Sequence, residues 1–277
     1  MPRRARSAVV LAVLCAPAVV LAAALSIPVG GTTIQIPLPE GFVRVDGVLA
    51  RWDAATAAFI SPQNRRLLVL GTAADRAALE AGSPPDAART FNIQVARAVE
   101  SQEFGERTFR DAKADIRAGI DQVQRQLTSV ATSVAAQGNR RLAPEDIDAA
   151  LNLADAAFVG YFRDTPTSLG VTMAMKVAGS GAAPERFVVA FVMTPVNGRL
   201  LNLYANARYT TEADRTWAEN AVSTWADATV AANPRVTGPA GKPFDWASVA
   251  PMAALGVGAL VVVWLVSRAT RQKRHAG

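Results

Sequence analysis

Residues 169–207 read LGVTMAMKVAGSGAAPERFVVAFVMTPVNGRLLNLYANA, and this stretch decides the fold class of the chain. It holds three apolar segments with the length and composition of strands, at 169–178, 187–194 and 200–207. Asn197-Gly198 separates the last two, and Asn-Gly between apolar segments is the strongest short signal for a β-hairpin. Strands this close together in sequence predict an antiparallel sheet.

A helix is predicted directly after these strands. Thr211 and Asp214 have the spacing of a capping box, and Asn233-Pro234 ends the helical pattern. Apolar residues recur at helical spacing between these two points: Trp217, Ala221, Trp225 and Ala228.

A long amphipathic helix is predicted before the strands, over 108–137, with a capping box at Thr108 and Asp111 and an end at Gly138-Asn139. Its apolar stripe packs on the core of its own domain or pairs with a helix of another chain. The stripe steps by three or four residues: Phe109, Ala112, Ile116, Ile120, Val123, Leu127, Val130 and Val134. Pro144 begins a second predicted helix, with one face formed by Ile147, Leu151, Ala154 and Phe158.

The first part of the chain alternates between short strands and short helices. Strands are predicted at 33–38, 66–71 and 90–99, a helix at 49–59, and a charged turn or helix that ends at Glu80. With the later elements, this pattern predicts an α+β domain in which helices cover an antiparallel sheet.

Both ends of the chain carry membrane-handling segments. Residues 1–24 combine basic residues, an apolar run and the small residues Ala22 and Ala24, which is typical of a secretory signal peptide; an uncleaved second anchor is the alternative. Residues 246–266, from Trp246 to Val266, carry no charge and are long enough to span a lipid bilayer as a helix. The basic residues that follow predict a cytoplasmic C-terminus.

The predicted organisation is that of a single-pass protein of a bacterial inner membrane. It comprises a signal peptide 1–24, a periplasmic domain 25–232, a linker 233–245, a transmembrane helix 246–266 and a cytoplasmic tail 267–277.

The positive charge of the chain lies in its two ends. The chain has 29 lysines and arginines against 23 acidic residues, but three arginines precede position 7 and four basic residues follow position 267. The stretch between them holds 22 basic and 23 acidic residues and is close to neutral. We therefore expect no nucleic-acid binding.

The predicted periplasmic domain contains neither histidine nor cysteine, because Cys15 lies in the signal segment and His275 in the tail. Ser-His-Asp triads, Cys-His pairs and zinc sites built on these residues are therefore excluded there. The sequence also lacks a phosphate-binding loop and a nucleophile elbow. We expect a domain with no catalytic residues, no metal and no cofactor.

Two candidates for a ligand or partner surface remain. Asn202, Tyr204 and Asn206 alternate along one strand and form a polar patch if that face is open; the alternative is that they satisfy the backbone of a covering loop. Arg140 and Arg141 lie in a predicted loop, where they meet anionic lipid heads or a partner, or are simply solvated.

Acidic residues offer a route to catalysis or to metal binding. Asp111 and Asp115 share a helix face one turn apart, which suits an acid and a base, although the nearby arginines equally suit a salt-bridged surface. Glu145, Asp146 and Asp148 lie at a predicted helix N-terminus, where the helix dipole favours acids; weak calcium binding is the alternative.

Residues 36–42, Ile-Pro-Leu-Pro-Glu-Gly-Phe, resemble the strand and Pro-x-Gly-aromatic opening of PsbP-like domains. The late strands, the Asn-Gly hairpin and the closing helix with its tryptophans also resemble that α/β/α sandwich. Segments 64–68, 168–171 and 212–218 are similar to membrane-tethered periplasmic proteins of proteobacteria. The resemblance covers about 33–233 and implies an adaptor or binding role without common catalytic residues.

Together these features predict a periplasmic domain that binds an envelope protein and is held to the bilayer by 246–266. Two alternatives stay open. One is an assembly protein that forms homo-oligomers through the long helix or the membrane span, and the other is a periplasmic hydrolase that uses carboxylates.

Overall fold

The structure is a computed structural model, and it describes residues 24–125, 127–142, 152–178 and 184–234. The strands in these ranges are β1 (Ala24–Val29), β2 (Thr32–Pro37), β3 (Phe42–Arg44), β4 (Asn64–Thr72), β5 (Arg89–Ala96), β6 (Asn152–Thr165), β7 (Ser168–Ala178), β8 (Glu185–Val196) and β9 (Arg199–Arg208). The helices are α1 (Ala50–Ala58), α2 (Ala73–Glu80), α3 (Glu106–Arg125), α4 (Leu127–Leu142) and α5 (Glu212–Ala231).

Seven strands form one antiparallel sheet in the order β3-β4-β5-β9-β8-β7-β6, and β1 and β2 form a separate hairpin. The three strands predicted within 169–207 are β7, β8 and β9, which are neighbours in this sheet. The hairpin turn between β8 and β9 falls at Asn197 and Gly198, which have φ of +43° and +76°. Positive φ at both central residues is what a type I′ turn requires, so the Asn-Gly prediction is confirmed.

The sheet separates two apolar cores, because alternate residues of each strand point to opposite faces. On β9, Leu200 and Tyr204 belong to the core shared with α1, α3 and α4. Leu201 and Leu203 belong to the core shared with α5 and the β1–β2 hairpin. Helices therefore pack on both faces of an antiparallel sheet, which confirms the predicted α+β class.

Most of the shorter predicted elements are present. The strand at 33–38 is β2, the helix at 49–59 is α1, the strand at 66–71 is β4, and the segment that ends at Glu80 is α2. The strand predicted at 90–99 ends at Ala96, because Arg97–Val99 turn into a 3₁₀-helix. Thr211 and Asp214 cap α5 by reciprocal hydrogen bonds, as predicted.

The prediction of one helix over 108–137 is wrong in its bounds. The structure has α3, which begins at Glu106 rather than at the predicted cap Thr108, and α4, which follows position 126. Gly138 and Asn139 do not end α4, which continues to Leu142, because Gly138 is a packing residue: a Cβ there would lie 2.2 Å from the ring of Phe59.

The apolar stripe of α3 packs within its own domain. Phe109, Ala112, Ile116 and Ile120 expose at most 3% of their surface and belong to the core beneath α3. This part of the stripe is therefore not a free surface for a second chain. The side chains of Val123, Leu127, Val130 and Val134 lie outside what the structure describes.

The helix predicted from Pro144 is wrong where the structure can be compared with it. Residues 143–151 lie outside the described ranges, but Ala154 and Phe158 lie in strand β6. The pairing of β6 with β7 shifts register three times between Ala154 and Arg163. The first of these shifts, between Ala154 and Ala157, breaks the alternation of the strand, so Ala154 and Phe158 fall at an interval that resembles a helix.

The β1–β2 hairpin was not predicted as a unit, and the side chain of Arg199 helps to fasten it to the domain. Arg199 donates hydrogen bonds to the carbonyls of Val29 and Gly30 in the hairpin and of Ser101 and Gln102 beside it. These charge-assisted contacts hold the hairpin turn against the end of β9.

Among the residues that the structure describes, no helix has both the length and the apolar character needed to cross a membrane. The predicted transmembrane helix 246–266, the tail 267–277 and nearly all of the predicted signal peptide 1–24 lie outside the described residues.

Candidate functional site

A groove of about 620 Å³ runs between α5 and the turn that joins β2 to β3. The turn contributes residues from Pro37 to Phe42, and α5 contributes one face from Ala213 to Ala228. Phe91 of β5 forms part of its floor and is 1% exposed. We take this groove as the candidate functional site and call it the aromatic groove.

Four aromatic rings build the groove and pack mainly edge to face. Phe91 lies at the centre, with ring centroids 4.7 Å from Phe42, 5.7 Å from Trp217 and 5.1 Å from Trp225. Edge-to-face contacts of this kind are favourable because the positive edge of one ring meets the negative face of another. Phe42 and Trp217 remain partly exposed, so the groove presents aromatic surface to solvent.

Polar contacts fix the turn against α5. The indole Nε1 of Trp225 donates to the carbonyl of Pro37 at 2.8 Å, and Phe42 N donates to Pro39 O at 3.1 Å within the turn. Beyond the end of α5, the amide of Asn233 accepts from the backbone N–H of Gln35 and donates to its carbonyl. The groove is therefore preformed rather than created by side-chain rearrangement.

One rim of the groove is polar and the interior is apolar. Thr216, Asn220 and Thr224 are exposed and follow one another by four residues along α5, so they lie on one helix face. Among the described residues that line the groove, Glu40 is the one that carries a charge. An apolar interior with a few polar groups at its edge is typical of sites that bind ligands or peptides.

An ion pair positions Trp217 at the N-terminal end of the groove. The guanidinium of Arg89 lies 4.5 Å from the centroid of the indole ring and 3.6 Å from a carboxylate oxygen of Asp214. Hydrogen bonds from the Thr210 hydroxyl and from the backbone N–H groups of Thr210 and Thr211 lower the pKa of Asp214 to about 2. Asp214 is therefore ionised at neutral pH, when it both caps α5 and holds Arg89.

The predicted patch of Asn202, Tyr204 and Asn206 does share one strand face, but that face is covered. These residues are 2%, 0% and 4% exposed and lie under the helices of the other core. Asn206 donates to the hydroxyl of Thr90 at 3.2 Å, and burial raises the pKa of Tyr204. The three side chains are part of the core and not an accessible surface.

Arg140 and Arg141 lie in α4 and not in a loop, which corrects the sequence prediction. Arg141 donates to the carbonyls of Ala58 and Ile60 at 3.0 and 3.1 Å, so it satisfies the C-terminal end of α1. Arg140 is exposed, and neither arginine lines the aromatic groove.

The candidate carboxylates that the structure describes are not brought into the groove. Asp111 and Asp115 are exposed on α3, while Glu145, Asp146 and Asp148 lie outside the described residues. Within the described part of the chain, no three His, Cys, Asp or Glu residues come together in a way that would hold a metal ion.

Sequence reasoning did not identify the aromatic groove as a site, although part of the signal was present. The Pro39-Glu40-Gly41-Phe42 turn was recognised, and Trp217 and Trp225 were placed on one face of a helix. Their proximity depends on packing between segments more than 170 residues apart, such as the hydrogen bond between Trp225 and Pro37, for which |i−j| is 188.

Comparison with known proteins gives little further information. No protein family model matches the chain, and no curated protein matches it. The chain is similar in structure to Mog1p, described as a Ran-binding protein of Saccharomyces cerevisiae, with a TM-score of 0.27. The two sequences are 11% identical, and the match covers 76% of this chain and 93% of that chain. A mutant of Mog1 gives the same identity and coverage with a TM-score of 0.26. Similarity this low assigns neither a family nor a partner to the chain.

Proposed function

We propose that this chain is a single-pass inner-membrane protein that displays a non-catalytic binding domain in the periplasm. The signal segment 1–24, the uncharged stretch 246–266 and the basic residues after it support this topology. The absence of histidine and cysteine between these ends supports binding rather than nucleophilic catalysis. A PsbP-like sandwich is part of the proposal, supported by the antiparallel sheet with helices on both faces.

The aromatic groove is the observation that carries the proposal. Phe42 and Trp217 keep part of their surface exposed in a preformed depression whose described lining is mainly apolar. Exposed apolar surface surrounded by polar residues marks interaction sites in soluble domains, because leaving it in water is unfavourable. We assign partner binding to this groove.

The occupant that best fits the groove is an extended, proline-containing segment of an envelope protein. The face of α5 that lines the groove runs from Ala213 to Ala228, which is about 22 Å along the helix. A polyproline II segment advances about 3.1 Å per residue, so about seven residues span this face. Such segments bind aromatic-lined grooves at low entropic cost, because they are already extended.

The polar rim suits the same occupant. A polyproline II segment has no internal hydrogen bonds, so its carbonyls are free to accept hydrogen bonds from the groove. Asn220 and the hydroxyls of Thr216 and Thr224 are exposed along the rim and supply such donors. The apolar interior then provides affinity, and the rim fixes the orientation of the peptide.

In-cell photo-crosslinking of the full-length chain tests this assignment. A photoreactive phenylalanine analogue is placed at Asn220, on the rim, and in a matched variant at Asp111, which is exposed on α3 away from the groove. We expect a discrete adduct with one envelope protein from position 220 and none of that size from position 111. Equal adduct patterns from both positions would refute the assignment.

A blocking substitution gives a second readout. Thr224→Arg places a long charged side chain over the groove, whereas Ala114→Arg makes the same kind of change at an exposed position of α3. Neither position belongs to the core, so both variants should fold. We expect Thr224→Arg to reduce the position-220 adduct at least tenfold and Ala114→Arg to leave it unchanged.

A further inference from the structure

The segment that follows the described residues has the composition of a peptide that binds an aromatic groove. Residues 235–245 read RVTGPAGKPFD, and we call them the linker segment. Pro239 and Pro243 are four residues apart, and Phe244 follows the second proline. Prolines favour an extended backbone, and extended proline-containing peptides bind grooves lined by aromatic residues. Directly after α5, the chain therefore contains a segment of the same chemical class as the partner proposed for the aromatic groove.

The chain is anchored beside the groove just before the linker segment begins. Asn233 is 7% exposed, and its side-chain amide is hydrogen bonded to both backbone groups of Gln35 on β2. Two residues after Gln35 comes Pro37, which lines the groove and accepts the hydrogen bond of Trp225. Ala228, at the C-terminal end of the lining face of α5, lies five residues before Asn233. The linker segment therefore starts close to the Ala228 end of the groove.

The linker segment is long enough to run back along the whole groove. The lining face of α5 measures about 22 Å, which about seven residues span in a polyproline II conformation. The linker segment has eleven residues, so about four remain for the reversal of the chain after α5 and for the connection to 246–266. Asn233-Pro234 is a typical turn pair, which suits a reversal at this point.

Tethering and charge both favour this occupant. A segment joined to its site by a short connection meets that site at an effective concentration that is roughly millimolar, so even a weak intrinsic affinity fills the groove. Glu40 is exposed where it lines the groove. The linker segment carries two cations, Arg235 and Lys242, against one acid, Asp245, so its net charge is opposite to that of Glu40.

We infer that the linker segment occupies the aromatic groove of its own chain when no partner is bound, and that an envelope partner binds by displacing it. The inference rests on the proposed function, because it gives the groove the same class of occupant. The docked segment covers the exposed aromatic surface of Phe42 and Trp217, which is unfavourable in water. Only a partner that binds more tightly than the tethered segment gains access, so the device excludes proline-containing segments that bind weakly.

Competition between the linker segment and a free peptide of the same sequence tests the inference. The parent chain and a variant in which glycines and serines replace residues 235–245 at equal length are purified as full-length chains in a non-ionic detergent. A fluorescently labelled peptide, RVTGPAGKPFD, is titrated with each chain, and its anisotropy reports binding. We expect saturable binding to the Gly-Ser variant and at least tenfold weaker binding to the parent chain, whose groove is already filled. Equal affinity for the two chains, or no saturable binding to the Gly-Ser variant, would overturn the inference.

Substitutions in the Gly-Ser variant locate the bound peptide. Thr224→Arg places a charged side chain over the groove, and Ala114→Arg is the matched change on α3. We expect peptide binding to weaken at least tenfold with Thr224→Arg and to stay unchanged with Ala114→Arg. A peptide with serine in place of Pro239, Pro243 and Phe244 should also bind at least tenfold more weakly. Undiminished binding of the original peptide to the Thr224→Arg chain places it outside the groove and contradicts the inference.

In-cell crosslinking from position 220 separates this inference from the proposed function. If both hold, the Gly-Ser variant gives more of the envelope-protein adduct than the parent chain, because no tethered segment competes for the groove. Competition in the peptide titration without an envelope-protein adduct from either chain refutes the envelope partner and leaves the linker segment as the occupant. An adduct of equal yield from both chains, together with equal peptide affinity, refutes the linker segment and leaves the envelope partner.

Discussion

At the scale of single residues, Gly138 shows how packing overrides helix propensity. It lies within α4, and a Cβ at this position would approach the ring of Phe59 to 2.2–2.8 Å. Phe59 is 0% exposed, so its ring has no space into which to move. Glycine here allows the close approach of α4 to the end of α1.

Gly138→Ala should therefore destabilise the domain. Alanine in a helix is favoured over glycine by about 1 kcal/mol. Overpacking of a filled core costs about 1–3 kcal/mol, and we expect this cost to exceed the gain in helix propensity. We expect a net loss in the free energy of unfolding, measured by denaturant titration of the full-length chain in detergent. Adding Phe59→Leu to Gly138→Ala should recover part of this loss, because the smaller side chain makes room for the new methyl group. A gain in stability from Gly138→Ala alone would contradict the packing argument.

Arginine side chains in this chain bind backbone as much as they bind acids. Arg199 donates to four carbonyls, and Arg141 donates to two. A guanidinium offers five N–H donors in a rigid plane, which suits several neighbouring carbonyls at once. The sequence analysis treated Arg141 as a candidate surface residue because it is charged. Its carbonyl partners lie more than 80 residues away, so no local pattern predicts these contacts.

At the scale of elements, the capping box of α5 links helix stability to pH. Asp214 accepts hydrogen bonds at the start of α5, and these lower its pKa to about 2. An aspartate in the unfolded chain has a pKa of about 3.9. Because the folded pKa is the lower one, the carboxylate stabilises the fold above about pH 4, and this contribution disappears as the pH falls from about 4 to 2.

Asp214→Asn should remove the ionised cap. At pH 6 we expect a loss of about 1 kcal/mol in the free energy of unfolding, the usual size of a capping interaction. The difference from the parent chain should shrink towards zero as the pH approaches 2, because the parent carboxyl is then protonated as well. Asp111→Asn, at an exposed position of α3, serves as the control and should change stability little at either pH. A difference that stays constant between pH 6 and pH 2.5 would show that the charge of Asp214 is not the cause.

Sequence patterns predicted those elements whose periodicity is regular. β7, β8, β9 and α5 follow clear alternation, turn and capping signals, and each was found near its expected bounds. The start of β6 was missed because the register shift between Ala154 and Ala157 disturbs the alternation there. Gly138 was misread because glycine more often ends a helix than packs within one.

The candidate site was only partly predictable. Helical spacing placed Trp217 and Trp225 on one face of α5, but the ring beneath them, Phe91, comes from a strand that pairs with β9 far along the chain. The covering of Asn202, Tyr204 and Asn206 likewise depends on which helices pack on their face of the sheet. Both features follow from long-range packing, which local patterns do not encode.

At the scale of the whole molecule, both ends of the described domain lie beside one strand. Ala24, the first described residue, is the register partner of Pro37 on β2. Asn233, near the last described residue, makes two hydrogen bonds to Gln35 on the same strand. The first and nearly the last of the described residues therefore lie close together, next to β2.

The proposed topology makes a prediction about the C-terminus. Four basic residues, Arg268, Arg271, Lys273 and Arg274, follow the uncharged stretch 246–266, and such clusters are retained on the cytoplasmic side. Alkaline phosphatase, which is active only after export, should be inactive when fused after Gly277 and active when fused after Pro234, before the span. A fluorescent protein that folds only in the cytoplasm should give the opposite pattern.

Replacing the four basic residues with glutamine should weaken the retention of the tail in the cytoplasm, because the apolar stretch alone does not define a direction. Phosphatase activity from the unaltered Gly277 fusion would place the tail in the periplasm. The domain that carries the aromatic groove would then face the cytoplasm, because the stretch 246–266 separates it from the tail.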